Sequence, residues 1–163
     1  MRIAGSRQGN DNLFSPCHTQ SNAVPGGGAV QEQGKTMAQP IRVLIADDSA
    51  RAREGLCALL TTWLGVEVVG EASNGREALD LVAERRPDVV LMDVQMPVMD
   101  GLQATRLIKS SWPEVTIIVL TMHAAQQAAA RAAGADEFVV KGSAPQRLLS
   151  ALGAIGVGGE RSI

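Results

Sequence analysis

The chain's 163 residues leave room for one compact domain with some length to spare, and with 45% hydrophobic and 20% charged residues most of it can fold around a core. Aromatic residues make up only 2%, so that core has to be built from Val, Ile, Leu, Met and Ala, side chains that suit a parallel sheet covered by helices. A formal net charge of -2 offers no basic field, which argues against direct nucleic-acid binding by this chain and against attraction to an anionic membrane.

Residues 1 to 39 are crowded with Gly, Ser, Asn, Gln and Pro, including Gly26-Gly27-Gly28, and their apolar residues stand singly. Such a stretch buries too little apolar surface to offset the entropy of ordering it, so a disordered N-terminal tail is expected. Met37, just ahead of the first regular element, is an alternative start. From Pro40 the pattern changes. Ile41 to Ala46 is a short apolar run ending in acids, which predicts a buried strand. Leu56, Leu59, Leu60, Trp63 and Leu64 recur at helical spacing, with Asp48 or Ser49 able to cap that helix. Val66 to Gly70 is the second strand. Asn74-Gly75 opens a helix with Ala78, Leu79 and Val82 inward, and Pro87 blocks its continuation.

The alternation repeats. Asp88 to Met92 predicts a strand, Gly101 to Lys109 a helix, and Val115 to Leu120 the fourth strand after the break at Trp112-Pro113. An Ala-rich helix spans roughly Ala125 to Ala133, closed by Gly134. Phe138 to Val140 is the fifth strand, and Pro145 sits in the first turn of a last helix carrying Leu148, Leu149 and Leu152. Residues 154 to 163 are Gly-rich and expected to form a flexible tail. Cys17 lies in the polar tail and Cys57 inside a helical pattern, so no disulfide is expected between them and Cys57 reads as a small buried hydrophobe. No apolar run approaches the ~20 residues of a membrane span, no apolar leader segment follows Arg2, and the expected location is cytoplasmic.

Five βα units imply an α/β, doubly wound parallel sheet with helices on both faces, and right-handed crossovers favour the flavodoxin-like strand order 2-1-3-4-5. In such sheets ligands bind beyond the carboxyl ends of the strands, where the strand order reverses. Strand 1 ends in Asp47-Asp48, strand 3 in Asp93, strand 4 in Thr121 and strand 5 in Lys141, while Gly70-Glu71 at the end of strand 2 falls outside that set. Taken singly, these are helix caps, turn residues and solvated charges. Their convergence on one rim points to chemistry. Three close carboxylates need a cation, and hard oxygen ligands with room for water suit Mg2+. A carboxylate held in line with a bound phosphoryl donor can attack phosphorus and form an acyl phosphate, with Lys141 and Thr121 meeting the transferred group.

Ile45-Ala46-Asp47-Asp48-Ser49, Met92-Asp93-Val94-Gln95-Met96-Pro97, Met99-Asp100-Gly101, Leu120-Thr121-Met122-His123 and Gly134-Ala135-Asp136-Glu137-Phe138-Val139-Val140-Lys141 stand in the order and spacing of a known family. Over residues 40 to 153 the chain resembles a response regulator receiver domain of two-component signalling. The resemblance implies a phosphoprotein in which Asp93 accepts a phosphoryl group from a histidine kinase or phosphotransfer protein. It implies direct Mg2+ binding by Asp48, binding through water by Asp47, and a further ligand in the main-chain carbonyl of Gln95. Lys141 matches the family lysine, and Thr121 and Phe138 match its switch pair. The protein is then a signalling switch that catalyses its own phosphorylation and dephosphorylation. Its output face is formed by the fourth helix, fifth strand and fifth helix, which would meet a downstream effector or a second copy.

The Leu-Thr-Met-His and Gly-Ala-Asp segments look most like receivers of LuxR-type regulators. No helix-turn-helix domain follows within these residues, so a stand-alone receiver and a shortened relative of a transcription factor are both open. Three departures stand out. The stretch from Thr121 to Gly134 is about two residues shorter than in the family and almost all Ala and Gln. Gly142 replaces the common proline, so the cis peptide associated with that proline need not form. Gln95 and His123 occupy variable positions where such families tune hydrolysis. Two rival readings are a binding module that works without phosphorylation, opposed by the intact acid set, and a metal-dependent hydrolase, which needs a further acid and a lid. Asp100 reads as a helix cap and His123 as a rim residue.

Overall fold

The computed structural model describes residues 39–156; apart from Gln39 and the last turn of the final helix, the two expected tails lie outside the described residues. The elements run β1 (Ile41–Ala46), α1 (Ala50–Thr61), β2 (Val66–Ala72), α2 (Gly75–Arg85), β3 (Val89–Asp93), α3 (Gly101–Ser111), β4 (Thr116–Thr121), a 3-10 turn (Ala124–Gln126), α4 (Gln127–Ala132), β5 (Glu137–Val140) and α5 (Pro145–Gly156). The five strands form one parallel sheet in the order β2-β1-β3-β4-β5, as expected for the flavodoxin-like fold.

Strand geometry sends alternate side chains to opposite faces, and the near-continuous apolar strands supply a core on each. Leu44, Val90, Met92, Ile117 and Val119 pack against Ala78 and Val82 of α2, Ala104 and Ile108 of α3, and Ala130 of α4. Val43, Ile45, Val89, Leu91, Ile118 and Leu120 pack against Cys57 and Leu60 of α1 and Leu148 and Leu152 of α5. Each large aliphatic side chain buried this way contributes roughly 1.5–3 kcal/mol.

Side-chain caps start three of the helices. The Ser49 hydroxyl accepts from the Ala52 N–H at 3.3 Å, Asn74 Oδ1 from Glu77 at 2.9 Å, and Asp100 Oδ1 from Gln103 at 2.8 Å. Asp100 is thus a helix cap. Helix α2 stops at Arg86, which adopts a left-handed φ of 48° immediately before Pro87, and its guanidinium stacks 5.2 Å over the Trp112 ring.

Several local expectations need correction. Leu64 does not extend the buried stripe of α1, because the helix ends at Thr61 and the following turn leaves Leu64 exposed. Strand β2 runs two residues past Gly70, with a bulge that sets Val43 opposite Val68 but Leu44 opposite Gly70. Asp88 lies just before β3, where its carboxylate accepts from the Arg42 N–H at 2.9 Å. Cys57 is buried as expected, but it is disulfide-bonded, with its partner outside the described residues. The single helix expected near 125–133 is divided into a 3-10 turn and a six-residue α4, closed by Gly134 at φ 101°.

Candidate functional site

The carboxyl ends of β1, β3, β4 and β5 converge on one rim. Asp47 follows β1 and is only 1% exposed, with each polar group engaged. Its N–H donates to Ala72 O at 3.0 Å, Oδ1 accepts from the Ser49 N–H at 2.9 Å, and Oδ2 accepts from Lys141 Nζ at 2.6 Å. Asp93 closes β3, is also buried, and lies 3.2 Å from the same ammonium. Asp48 is exposed. Asp47, Asp48 and Asp93 each bring one carboxylate oxygen to within 4.8 Å of the others.

The charges act on each other. Burial pushes the Asp93 carboxyl above its ordinary value, with Asp47 and Asp48 adding repulsion that Lys141 only partly offsets. Burial alone would lower Lys141, but the hydrogen bond to Asp47 and the charges of Asp93 and Asp47 outweigh it and hold the ammonium charged. One ammonium against three carboxylates leaves the rim electron-rich. The oxygen donors, one of them facing solvent, fit a hard divalent cation that keeps several waters.

A tight loop holds Asp93 in place. The Gly101 N–H donates to Val94 O at 2.9 Å and the Met99 N–H to Pro97 O at 2.7 Å, with Val98 between them at φ 68°. A Cβ on Gly101 would stand 1.8 Å from the Asp93 carbonyl oxygen, so only glycine lets α3 begin this close to the acid. Gln95 is exposed and lines a groove with Asp48, Met96, Pro97 and Gln126. The chain leaves Lys141 through a trans bond into Gly142, which takes φ 84°.

Thr121 ends β4, one position beyond Leu120, which pairs with Asp93. Its buried hydroxyl donates to Gln126 Oε1 and accepts from the His123 N–H at 3.1 Å. Phe138 sits on β5 opposite Val119, half-buried against the core that faces α2, α3 and α4. Two residues at the rim, Gln126 and Arg53, were not singled out from the sequence, and a third, Glu71, was set outside it. Gln126 lies in an Ala/Gln run that carries no local signal. Arg53 and Glu71 sit on α1 and β2, and Arg53 Nη1 donates to the Asp47 carbonyl at 2.6 Å while its Nε lies 3.5 Å from Glu71 Oε1.

The family model for the response regulator receiver domain matches residues 43–153. This chain belongs to the response regulator receiver family. The receiver is 42% identical over 117 residues to the response regulator UvrY of Escherichia coli K12, an alignment covering 71% of this chain and 54% of UvrY. It is 33% identical over 115 residues to VraR of Staphylococcus saprophyticus, covering 69% of this chain and 55% of VraR. The chain spans about half the length of the curated relatives it matches. Among solved structures, a LuxR-family two-component response regulator from Aurantimonas superposes with a TM-score of 0.69 at 37% identity, covering 74% of this receiver and 87% of that chain. The isolated receiver domain of RcsB from Salmonella enterica serovar Typhimurium, determined with the phosphomimetic BeF3-, superposes at 0.68 and 30% identity, covering 74% and 91%. No helix among the described residues is long and apolar enough to cross a membrane.

Proposed function

We propose that this receiver is a phosphorylation-operated switch in which Asp93 takes a phosphoryl group from the phosphohistidine of a histidine kinase or phosphotransfer protein. The observation that carries the reading is the cluster of Asp47, Asp48 and Asp93 with Lys141 bridging two of them at 2.6 and 3.2 Å. In the transfer, an Asp93 carboxylate oxygen bonds to phosphorus as the P–N bond breaks, and its electron pair leaves with the imidazole nitrogen. Asp47, Asp48 and Asp93, with the main-chain carbonyl of Gln95, would hold Mg2+, which when bound would supply charge neutralisation to the phosphoryl oxygens. Lys141, kept charged by its acidic partners, offers a point charge to the same oxygens. Hydrolysis by water later returns Asp93 and releases inorganic phosphate.

The phosphoryl group adds about -1.5 to -2 charge and three strong acceptors at a rim already rich in anions. The Thr121 hydroxyl, at the end of the neighbouring strand, is the donor that turns toward it, leaving Gln126, and Phe138 follows inward. That couples the acceptor to the surface of α4, β5 and α5, where a downstream effector or a second copy docks. The cytoplasm is the compartment that supplies such kinases.

The test is to incubate the protein with acetyl phosphate, with and without Mg2+, and follow intact mass. One added phosphoryl group that requires Mg2+ and is missing from Asp93→Asn is the expected result. No added mass on a folded protein that binds Mg2+ would favour a module working without phosphorylation.

A further inference from the structure

Asp47 and Asp48 sit on a strand-to-helix turn, where the main chain has more freedom than within the sheet. Two bonds pin the first of them. The Asp47 N–H donates to Ala72 O on β2 at 3.0 Å, and its carbonyl accepts from Arg53 Nη1 at 2.6 Å. That carbonyl belongs to the peptide joining the two acids, so its orientation sets the direction in which Asp48 leaves the turn. Arg53 is in the first turn of α1 with its guanidinium folded back over the strand end, and Glu71 Oε1 lies 3.5 Å from its Nε.

Glu71 is costly to keep. Its side chain is only 14% exposed, Oε2 is buried without a hydrogen-bond partner, and burial pushes its carboxyl above the ordinary value although Arg53 pulls it down. As a stability device alone such a pair is poor, because apolar residues of similar volume often serve at least as well. Its geometry does something an apolar pair cannot. Glu71 holds the guanidinium, and the guanidinium holds the peptide between the two acids.

We infer that Arg53 and Glu71 are positioning residues for the metal-binding turn, fixing the Asp47–Asp48 peptide so that both carboxylates face the cation together with Asp93. The inference rests on the divalent-cation reading of the acidic rim above. Charge and position predict opposite effects for Arg53. A cation beside a Mg2+ site repels the ion, so its removal on electrostatic grounds alone tightens binding; loss of the positioned turn weakens it.

The experiment is calorimetric titration of the full chain with MgCl2 alone, alongside thermal denaturation of each variant. Arg53→Met is expected to raise the Mg2+ Kd by about tenfold despite removing a positive charge. Glu71→Gln and Glu71→Ala lose the same charge, but only glutamine keeps an oxygen for the guanidinium, so the Gln variant should bind Mg2+ several-fold more tightly than the Ala variant. Arg53→Met binding as tightly as the parent, or more tightly, overturns the inference. If Arg53→Met does not fold, equal affinities of the two Glu71 variants overturn it instead. Absence of Mg2+ binding by the parent protein removes this inference and the cation reading together, whereas parental binding with indifferent variants removes this one alone.

Discussion

Gly101→Ala is the sharpest test of how Asp93 is held. The added Cβ would lie 1.8 Å from the Asp93 carbonyl oxygen, 2.8 Å from its carbonyl carbon and 3.0 Å from Met92 Cγ. Real Cβ contacts essentially never fall below 3.0 Å, so the nearest one must open from 1.8 Å to at least that value. The obstacle is main chain, which cannot swing aside like the end of a side chain, so either β3 or the start of α3 has to move. Overpacking of this kind costs about 1–3 kcal/mol, and a backbone clash belongs at the upper end. At about 4 °C per kcal/mol for a domain of this size, the melting temperature should fall by about 12 °C. Gly55→Ala serves as the internal control. It makes the same chemical change inside α1, with nothing within 4 Å of the new atom, and should stabilise by about 0.5–1 kcal/mol because glycine is a poor helix former. Thermal denaturation followed by far-UV circular dichroism reads both. A Gly101→Ala protein melting within about 2 °C of the parent would refute the close-approach argument. Phosphorylation by acetyl phosphate should fall with it, since the displaced main chain carries Asp93, the proposed acceptor.

Asp93→Asn should melt above the parent near neutral pH when Mg2+ is withheld. Burial and the neighbouring acids raise the Asp93 carboxyl, so the folded state binds this proton more readily than the unfolded chain. The cost of ionising it is absent below the ordinary carboxylate range and grows until the pH passes the raised folded value, so the advantage of asparagine should shrink on acidification. A constant gap across a pH series of melting curves would contradict that. Adding Mg2+ at about a hundred times its Kd should stabilise the parent by about 2.7 kcal/mol, and Asp48→Asn much less; equal shifts in the two melting curves would exclude Asp48 as a ligand. Changing the exposed Gln95 to Ala should alter the lifetime of the phosphoryl group, because this side chain shares a groove with Asp48. An unchanged decay of the phosphorylated mass would remove Gln95 from that role.

The fold was legible because its signals are local. Apolar runs that end in polar residues mark the strands of a parallel sheet, and Ser49, Asn74 and Asp100 mark helix starts by their capping chemistry. Strand order converts those ends into one rim, so Asp47, Asp48, Asp93, Thr121 and Lys141 could be grouped before any coordinates. What escaped depends on partners distant in sequence or on competition at an element's end. Leu64 keeps helical spacing with Leu60, yet the helix has already stopped at Thr61. Glu71 looked like the end of a strand apart from the site, because nothing nearby in sequence says that Arg53 reaches it from α1. Gln126 gave no sign of meeting Thr121, since a glutamine in an Ala/Gln run has many possible partners and only the 3-10 turn selects one.

Lys141 and Asp47 meet across 94 positions of sequence, and β5, which leads into the lysine, is the last strand among the described residues and an edge of the sheet. During synthesis, therefore, β1 and β3 can emerge from the ribosome and pair well before the lysine exists. For that interval Asp47 and Asp93 stand together without their counter-ion, and under the proposed function the acceptor lacks the charge that would meet a phosphoryl donor. A nascent chain, or one clipped before Lys141, therefore lacks the ammonium that lies between these two acids. Among the residues of the rim that charge arrives last, after all five strands beneath it have been made.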